Sequence, residues 1–374
     1  MMETRVAIAK CEQYDAAKIK AILADHFVKL DIMPGFFEGK KVLIKPNLLA
    51  RRAPEKAVTT HPAVVTAVIE LLVQYGANVT IAESPAGVYT VGSLKEDYKA
   101  SGFMEAAEKC GAVFNYDTST AVIHNEKGAA CKSFTVIKPI CDADIIIDLC
   151  KLKTHSLTKM TCAVKNLFGV IPGTDKIEMH ARFSQSTNFL HMLIDLCEAI
   201  MQDKPVISIC DAILAMEGEG PGTGDPRKLN AVLTSRNPYA LDLACCELIG
   251  FGNTVEMIEL EKKRGLCPSS VKGLEIIGTP IKELKVNDFV EPESQSLSRL
   301  IKLIPSFMKP RPVINTAVCV GCGMCARSCP AETITVENKK AHIGRKNCIK
   351  CFCCQELCPY KAVKIKRSII FKWI

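Results

Sequence analysis

The sequence predicts an α/β fold, a mainly parallel sheet with helices on both faces, followed by a small α+β domain. Short, β-branched apolar runs recur along the first 290 residues, and amphipathic helical patterns lie between several of them. Apolar strands that alternate with helices are typical of a parallel sheet buried on both faces. A dense run of cysteines near the end predicts the small domain. A chain of 374 residues has room for both domains.

Each element of the large domain follows from a local pattern. The predicted strands are RVAIAKC (5–11), KKVLIKPNL (40–48), NVTIAES (78–84), ADIIIDLC (143–150), PVISICD (205–211), KLNAVLT (228–234) and GLEIIGT (273–279). The predicted helices are DAAKIKAILADHF (15–27), HPAVVTAVIELLVQYGA (61–77), STNFLHMLIDLCEAIM (186–201) and NPYALDLACCELIGF (237–251). The stretch TAVIHNEKGAACKSFTVI (120–137) predicts an inserted hairpin. We therefore predict an α/β domain over residues 1–290.

The pattern becomes irregular after this domain. Four prolines fall between residues 291 and 312, and LSRLIKLIPSF (297–307) predicts one short helix among them. We predict a linker over residues 291–312 and a separate small domain over residues 313–374. The basic and apolar tail KAVKIKRSIIFKWI (361–374) predicts a closing strand that packs on the large domain, with a peripheral membrane or partner anchor as the alternative.

Eight cysteines of the small domain follow one spacing twice. The pattern C-x2-C-x2-C-x3-C-P occurs at 319–330 and again 29 residues later at 348–359. It is typical of bacterial two-cluster ferredoxins, in which three cysteines hold one iron–sulfur cube and the fourth holds the other cube. The sequence thus predicts two [4Fe–4S] clusters with crossed ligands. The first would be held by Cys319, Cys322, Cys325 and Cys358, and the second by Cys348, Cys351, Cys354 and Cys329.

Zinc is the alternative occupant of such cysteines. Zinc sites usually show two C-x2-C pairs, whereas this chain has two triplets, each with a fourth cysteine and a proline, so the pattern favours clusters. Cys353 is outside the pattern, and we predict a spare buried thiol there, with an alternative ligand as the other reading. Gly321 and Gly323 are expected to let the backbone approach the first cube.

Composition restricts the cellular context. The other 12 of the 20 cysteines form no regular framework, and their oxidation would compete with cluster assembly, so we expect a reducing, anaerobic cytoplasm. The opening MMETRVAIAK lacks the apolar segment of a secretory signal, and no run of eighteen apolar residues predicts a transmembrane span. We therefore expect a soluble or peripheral protein.

Positive charge is concentrated at the end of the chain. Residues 301–374 contain 14 Lys and Arg but only 3 Glu and no Asp, whereas the rest of the chain is slightly acidic. This excess is typical of a solvated face that compensates cluster charge; the alternative is a docking surface for an acidic redox partner. No nucleic-acid-binding motif accompanies the charge, so we expect no nucleic acid partner.

The usual nucleotide-binding loops are absent from the sequence. Neither G-x-G-x-x-G after a strand nor G-x-x-x-x-G-K-[ST] occurs. The segment EGEGPGTGDP (217–226) is rich in glycine, but its prolines and acidic residues are more typical of a surface loop or an active-site flap than of a phosphate cradle.

Polar side chains follow two predicted strands at their carboxyl ends, where open α/β sheets bind ligands. Lys45 and Asn47 lie at the carboxyl end of the second predicted strand, Lys153 and His155 lie where the fourth ends, and Lys165 and Asn166 lie on the following helix. Lysines in apolar surroundings are costly unless they meet an anion or a carboxylate. We predict that Lys153 and Lys165 hold a small anionic substrate, His155 supplies a proton, and Lys45, Asn47 and Asn166 orient the substrate. The alternative is structural, with the lysines paired to acids such as Asp148 and His155 bonded to a backbone carbonyl.

Five segments carry a resemblance to a known family. VLIKPNLL (42–49), TTHP (59–62), IAESP (81–85), KLKTHSLTKMTCAVKNLFGVIPG (151–173) and NPYALDLACCELIG (237–250) resemble the domain-of-unknown-function 362 family, over residues 4–280. Members often carry a fused C-terminal two-cluster ferredoxin. The resemblance implies a ferredoxin-type iron–sulfur protein of anaerobes and archaea, and it implies no defined reaction.

Two functional hypotheses remain from the sequence. In the first, the clusters deliver electrons to a small anionic or carbonyl-bearing substrate in the large domain, with or without a further cofactor such as a flavin. In the second, the protein is an electron carrier whose large domain docks or senses without chemistry. Convergence of the six polar side chains in one cleft favours the first hypothesis.

Overall fold

The structure, a computed structural model, describes residues 2–85, 87–184, 186–294 and 310–366. The strands are β1 Arg5–Lys10, β2 Lys41–Pro46, β3 Asn78–Ile81, β4 Val113–Phe114, β5 Thr120–His124, β6 Ser133–Ile137, β7 Ile145–His155, β8 Lys159–Thr161, β9 Val206–Glu217, β10 Asp225–Ser235, β11 Glu275–Gly278, β12 Arg311–Ile314, β13 Ile334–Glu337, β14 Lys340–Ile343 and β15 Val363–Lys366.

The helices alternate with these strands. They are α1 Ala16–Lys29, α2 Pro62–Gln74, α3 Val91–Ala100, α4 Phe103–Cys110, α5 Pro139–Asp142, α6 Ala163–Asn166, α7 Asp175–Arg182, α8 Ser186–Asp203, α9 Pro238–Leu248, α10 Glu256–Lys263, α11 Ile281–Leu284, α12 Met324–Arg327 and α13 Cys353–Glu356. Short 3₁₀ turns lie at Pro34–Phe36, Pro54–Lys56, Leu167–Val170, Gly252–Thr254 and Val271–Gly273.

One nine-stranded sheet organises the large domain. Its order is β11-β1-β10-β9-β7-β2-β3-β4, with β8 paired to β7. The β1–β11, β2–β3, β2–β7, β3–β4 and β7–β9 pairs are parallel, whereas β10 runs antiparallel to both of its neighbours. The predicted α/β fold class is therefore confirmed, as are the predicted strands, helices and inserted hairpin (β5–β6) to within several residues.

Successive side chains of the central strands point to opposite faces of this sheet. In β2, Val42 and Ile44 join the core under α1 and α2, whereas Leu43 joins the core under α6, α8 and α9. Both faces are apolar because each strand has to bury both of its sides, which explains the near-continuous apolar runs in the sequence. The polar side chains inside the central strands are buried in bonded pairs: Lys151 of β7 with Asp211 of β9 (2.7 Å), and Asp148 of β7 with Ser208 of β9 (2.8 Å).

The cysteine-rich domain contains two small antiparallel sheets, β12–β15 and β13–β14, with α12 and α13 between them in sequence. Strand β12 begins at Arg311, inside the interval predicted as linker (291–312). The limits of the two domains and of the linker stay predictions. The predicted helix at 297–307 and the end of the tail lie outside the described residues. Within the described ranges, none of the helices is both long and apolar enough to cross a bilayer.

Candidate functional site

A pocket opens at the carboxyl ends of β2 and β7, between the large sheet and the cysteine-rich domain. Its volume is about 90 Å³, which gives room for about six to nine water-sized groups. It brings together all six predicted side chains, Lys45, Asn47, Lys153, His155, Lys165 and Asn166. The cysteine-rich domain contributes a wall made of Cys353, Glu356 and Leu357.

Lys45 is committed to neighbours inside the protein. It is 1% exposed, and its Nζ donates to the carbonyl of Pro46 (3.0 Å) and to Oδ1 of Asn166 (3.1 Å). It also forms a buried ion pair with Glu83, which follows β3. Three partners use the three donors of an ammonium group. Lys45 therefore supports the site more than it offers a free donor to a ligand.

An amide network joins the ends of β2 and β7 to α6. Asn166 Nδ2 donates to Oδ1 of Asp148 (2.7 Å), and Asn47 Nδ2 donates to Oδ1 of Asn166 (3.0 Å). Lys153 Nζ donates to Oδ1 of Asn47 and to the carbonyl of Val58, both at 2.7 Å, which leaves its third donor for a ligand. These bonds fix the side chains before any ligand arrives.

Burial changes the protonation of this network. It raises the pKa of Asp148 to about 7, although bonds from Asn166 and Ser208 act in the opposite direction. Burial, reinforced by repulsion from Lys165 and Lys151, lowers the pKa of Lys153 well below its usual value. An anion close to Lys153 would favour its charged form, so anion binding and proton uptake are coupled here.

His155 faces the pocket through its Nε2 atom. Its Nδ1 accepts the backbone N–H groups of Leu157 (3.0 Å) and Thr158 (3.3 Å), so the proton of the neutral ring belongs on Nε2. Burial first, then repulsion from Lys165, lowers the pKa of His155 well below 6.5. The ring is therefore neutral at pH 7 and can donate one hydrogen bond into the pocket.

The Nε2 atom of His155 lies 3.1 Å from Oε1 of Glu356, which belongs to α13. The pair is not aligned as a hydrogen bond, and both buried atoms lack a hydrogen-bond partner among the described residues. Buried polar atoms in native structures nearly always have partners, including water or a ligand. Because the two atoms lie side by side in the pocket lining, a polar molecule bound next to them could bond to either one.

Two further cations line the pocket. Among the described residues Lys165 has no ion pair, and its Nζ lies 5.7 Å from the ring centre of Phe168. Burial lowers the pKa of Lys165 and lowers that of Lys176 to about 7. Lys176 donates to the backbone carbonyls of Ser84 and Ile171. The pocket is thus cationic, with Lys165 as its least committed ammonium group.

The glycine-rich segment 217–226 forms the turn between β9 and β10 and holds the cysteine-rich domain in place. Gln355 Nε2 donates to the carbonyl of Glu219 (3.0 Å) and to Oγ1 of Thr223 (2.7 Å). A Cβ on Gly222 would lie 2.7 Å from the carbonyl oxygen of Glu356. Pro221 of the same turn lines the pocket. The segment is therefore neither a plain surface loop nor a free flap. It is a turn through which the large domain closely contacts the cysteine-rich domain.

Two small cavities in the cysteine-rich domain each gather four cysteines. One is lined by Cys319, Cys322, Cys325 and Cys358, and the other by Cys329, Cys348, Cys351 and Cys354. Each set combines three cysteines of one repeat with the last cysteine of the other repeat, as the spacing predicts. Four convergent thiols per cavity suit cubane iron–sulfur clusters. Gly321, at φ 71°, allows the first cavity to approach the backbone of Lys339, where a Cβ would clash.

Four other thiols meet in the apolar core of the large domain. Cys162 Sγ lies 3.6 Å from Cys150, 3.5 Å from Cys210 and 3.6 Å from Cys245. A metal ion there would need several thiolates in a dry core, and burial raises the pKa of Cys150 well above its usual value. Burial acts in the same direction on Cys210, but hydrogen bonds from Cys150, Cys162 and Cys245 lower its pKa, so at most one thiolate is favoured. The carboxyl of Asp242 also lies beside the first turn of α6. We describe these cysteines as core side chains.

Sequence reasoning missed several pocket residues. Glu83 had a usable signal, because it lies just past the carboxyl end of β3, as Asn47 lies just past that of β2. Lys176 and His180 lie on α7, one turn apart, in a segment with no strand before it. Glu356 lies between two predicted ligand cysteines, and nothing local indicates that it faces the large domain. Cys353, predicted as a spare buried thiol, is 5% exposed and lines the pocket.

Comparisons with known proteins agree with this architecture. A family model described as "Domain of unknown function (DUF362)" matches residues 42–247, and one described as "4Fe-4S dicluster domain" matches residues 311–359. A relative named thylakoid-associated protein sll1697, from Synechocystis sp., is 30% identical over 301 residues, which cover 78% of this chain and 89% of that protein. The match to the 4Fe-4S dicluster domain shows that the chain carries an iron–sulfur domain of the kind that transfers electrons.

A similarity was also found among solved structures. The lactate racemase apoprotein from Thermoanaerobacterium thermosaccharolyticum matches with a TM-score of 0.41 and 15% sequence identity, over 67% of this chain and 57% of that one. The family match covers more than half of the chain and includes the strands and helix that carry the pocket lysines and asparagines. The chain belongs to the DUF362 family, with a 4Fe–4S dicluster ferredoxin domain fused after it.

Proposed function

We propose that this protein is an iron–sulfur reductase that binds a small anionic, carbonyl-bearing molecule in the pocket between its domains. One observation carries the proposal: the cationic pocket of the family domain is closed by α13 of the iron–sulfur domain. Cys353 of that wall lies between Cys351 and Cys354, two of the cysteines that line one cluster cavity. When bound, the two clusters supply electrons one at a time.

Charge and volume define the substrate class. Lys165, Lys153 and Lys176 present ammonium groups to a cavity of about 90 Å³. Each charged hydrogen bond to an anion contributes roughly 1.5–3 kcal/mol. A molecule of about six to nine non-hydrogen atoms fits this volume, whereas a flavin ring system together with a substrate does not.

His155 would act as a neutral donor. Its Nε2–H can bond a carbonyl oxygen, polarise it and stabilise the negative charge that develops there, a role worth roughly 10² to 10³ in rate. Because the lowered pKa keeps the ring neutral, His155 does this without giving up its proton. Asn47, Asn166 and Lys45 would act on the substrate indirectly, because their polar atoms are already bonded within the protein. They hold Lys153 in position.

The second candidate is an electron carrier whose large domain docks without chemistry. The internal bonding of Lys45, Asn47 and Asn166 favours it, because a structural network needs no ligand. In both readings a redox protein exchanges electrons with the chain, and the basic small domain favours an acidic one. A cytoplasmic location and the absence of a nucleic acid partner belong to this proposal as well.

The first test is mass spectrometry of the full-length protein after anaerobic purification. A small molecule retained at one per chain supports the reductase, and its identity names the substrate. Sulfate and pyruvate then serve as defined probes in calorimetric titrations. We expect both to bind, and Lys165→Met to weaken binding about 10- to 150-fold, the equivalent of one charged hydrogen bond.

Controls separate binding from folding. Lys132→Met removes an exposed lysine from the hairpin loop and should bind like the wild type. His155→Ala and Lys153→Ala should keep the melting temperature and the cluster absorption while losing pyruvate affinity. Collapse of the large domain in both variants, or wild-type binding in both and in Lys165→Met, would refute the proposal and leave the carrier.

A further inference from the structure

The cysteine-rich domain has two related faces, one on each side of its internal repeat. The repeat offset of 29 residues relates Cys353 to Met324, Gln355 to Ala326 and Glu356 to Arg327. The face built from α13 is buried against the large domain, where Gln355 is 1% and Glu356 8% exposed. The corresponding face built from α12 has no such cover among the described residues.

This outer face exposes several large apolar side chains close together. Val320, Met324 and Tyr360 are 50%, 37% and 49% exposed, and they line a cysteine cavity whose Cys322 is itself exposed. Val318, which directly precedes Cys319 of the same cavity, is 41% exposed. Exposed apolar groups concentrated at one place mark an interaction site. They are four of the fourteen large apolar side chains that the described part of the chain exposes.

The rim of the same face is basic. Arg327 Nη1 donates to the carbonyl of Cys322 (3.2 Å), which holds its guanidinium beside the cavity. Lys340 Nζ donates to the carbonyl of Cys319 (2.6 Å), and exposed Lys339 backs onto Gly321. Glu337 is the neighbouring acid in the β13–β14 hairpin, so the local balance is positive. Such a rim selects an acidic partner and accelerates its encounter.

We infer that the α12 face, defined by Val318, Val320, Met324, Arg327 and Tyr360, is the docking surface for an acidic one-electron donor protein. The inference rests on the proposed function, because electrons used in the pocket have to be replaced from outside. The two faces of the repeat then divide the work: the α13 face closes the pocket, and the α12 face receives the partner. The occupant we commit to is a small acidic ferredoxin.

The test uses the full-length protein with both clusters assembled, titrated anaerobically with an acidic clostridial-type ferredoxin at low and high ionic strength. We expect binding that weakens with salt, and a loss of affinity of about tenfold in Arg327→Glu. Val320→Asp, which adds a charge to the apolar centre, should lose binding to a similar degree. Lys132→Glu, a charge reversal on the distant hairpin loop, should bind like the wild type.

Other readouts separate the possible failures. Iron content is measured for every variant, so that loss of a cluster is not mistaken for loss of docking. Sulfate affinity of the pocket should be unchanged in Arg327→Glu; its failure in the wild type would refute the proposed function and not the docking surface. Equal ferredoxin binding by Arg327→Glu and Lys132→Glu would overturn the inference. So would stronger binding of basic cytochrome c, or binding of the face to phosphatidylglycerol vesicles without any ferredoxin binding.

Discussion

Replacing Gly222 with alanine tests how tightly the two domains must meet. The backbone of Gly222 lies outside the left-handed region, so the change adds volume without adding backbone strain. The new Cβ would lie 2.7 Å from the carbonyl oxygen of Glu356 and 3.6 Å from Cδ2 of Leu49. Because Cβ contacts under 3.0 Å are essentially never seen, the α13 backbone has to move away by several tenths of an ångström.

The cost of this movement follows from what it disturbs. Gln355 makes three bonds from α13 to the large domain, to Glu219, Thr223 and Ser156. Overpacking of a closed contact costs about 1–3 kcal/mol, which corresponds to about 5- to 150-fold in the docking equilibrium. We expect the hydrogen-exchange rates of the α13 amides to rise by the same factor. We also expect weaker sulfate binding, because Glu356 and Leu357 form one wall of the pocket.

Gly35→Ala is the matched control, since a Cβ there meets nothing within 4 Å. It should leave both exchange and sulfate affinity unchanged. If Gly222→Ala behaves like Gly35→Ala, the close approach of the domains does not hold the pocket together. Loss of sulfate affinity without faster exchange would also contradict the reasoning, because the wall would then be intact.

Three other changes test separate parts of the structure. Cys358→Ser should remove the cluster of the first repeat, about four of eight irons, while the Cys348 cluster remains; iron analysis and electron paramagnetic resonance measure this. Sulfate affinity should fall as pH rises through about 7, because the pKa of Lys176 is lowered from 10.5 to about 7 and its charge is present only below that value; titration calorimetry across this range measures it. Gly169→Ala should destabilise the large domain by about 1–3 kcal/mol in urea unfolding, because its Cβ would overlap the buried Lys45–Glu83 pair.

Each of these has a definite contrary outcome. Loss of the Cys348 cluster alone in Cys358→Ser would contradict the crossed ligation. Sulfate affinity that stays level from about one pH unit below the pKa of Lys176 to about one unit above it would mean that this lysine does not bind the anion. Unchanged unfolding of Gly169→Ala would mean that the lysine and glutamate relax at little cost.

The sheet and the cysteine cavities could be predicted from the sequence because their signals are local. Strand β2 is apolar on both faces because both of its sides are buried, and this requirement is visible in the identity of each residue. The crossed cysteine sets follow from a spacing repeated after 29 residues. The grouping of polar residues at the pocket followed from one rule, that parallel strands end at the same edge of a sheet.

The pairing of individual side chains could not be predicted. The structural alternative named Asp148 as a partner for a buried lysine, but Asp148 accepts hydrogen bonds from Asn166 and Ser208, and Lys45 pairs with Glu83. The choice depends on tertiary distances between three strands, which no short stretch of sequence encodes. The protonation of His155 depends in the same way on its complete burial, which a sequence at a strand end does not reveal.

The α13 wall has a consequence for how the two cysteine repeats can change over evolutionary time. Residues of the second repeat have to fit both the cluster cavity of their own domain and the pocket of the large domain. Residues of the first repeat have to fit only their own cluster cavity and a partner protein that binds and leaves. Substitutions at Gln355 and Glu356 are therefore restricted by two sets of contacts. Substitutions at Ala326 and Arg327 are free to change together with the donor protein. A chimaera that joins an unrelated dicluster domain to this large domain would bind the same number of iron atoms and still lack the closed pocket. To keep the pocket, the chimaera has to retain the second repeat of this chain.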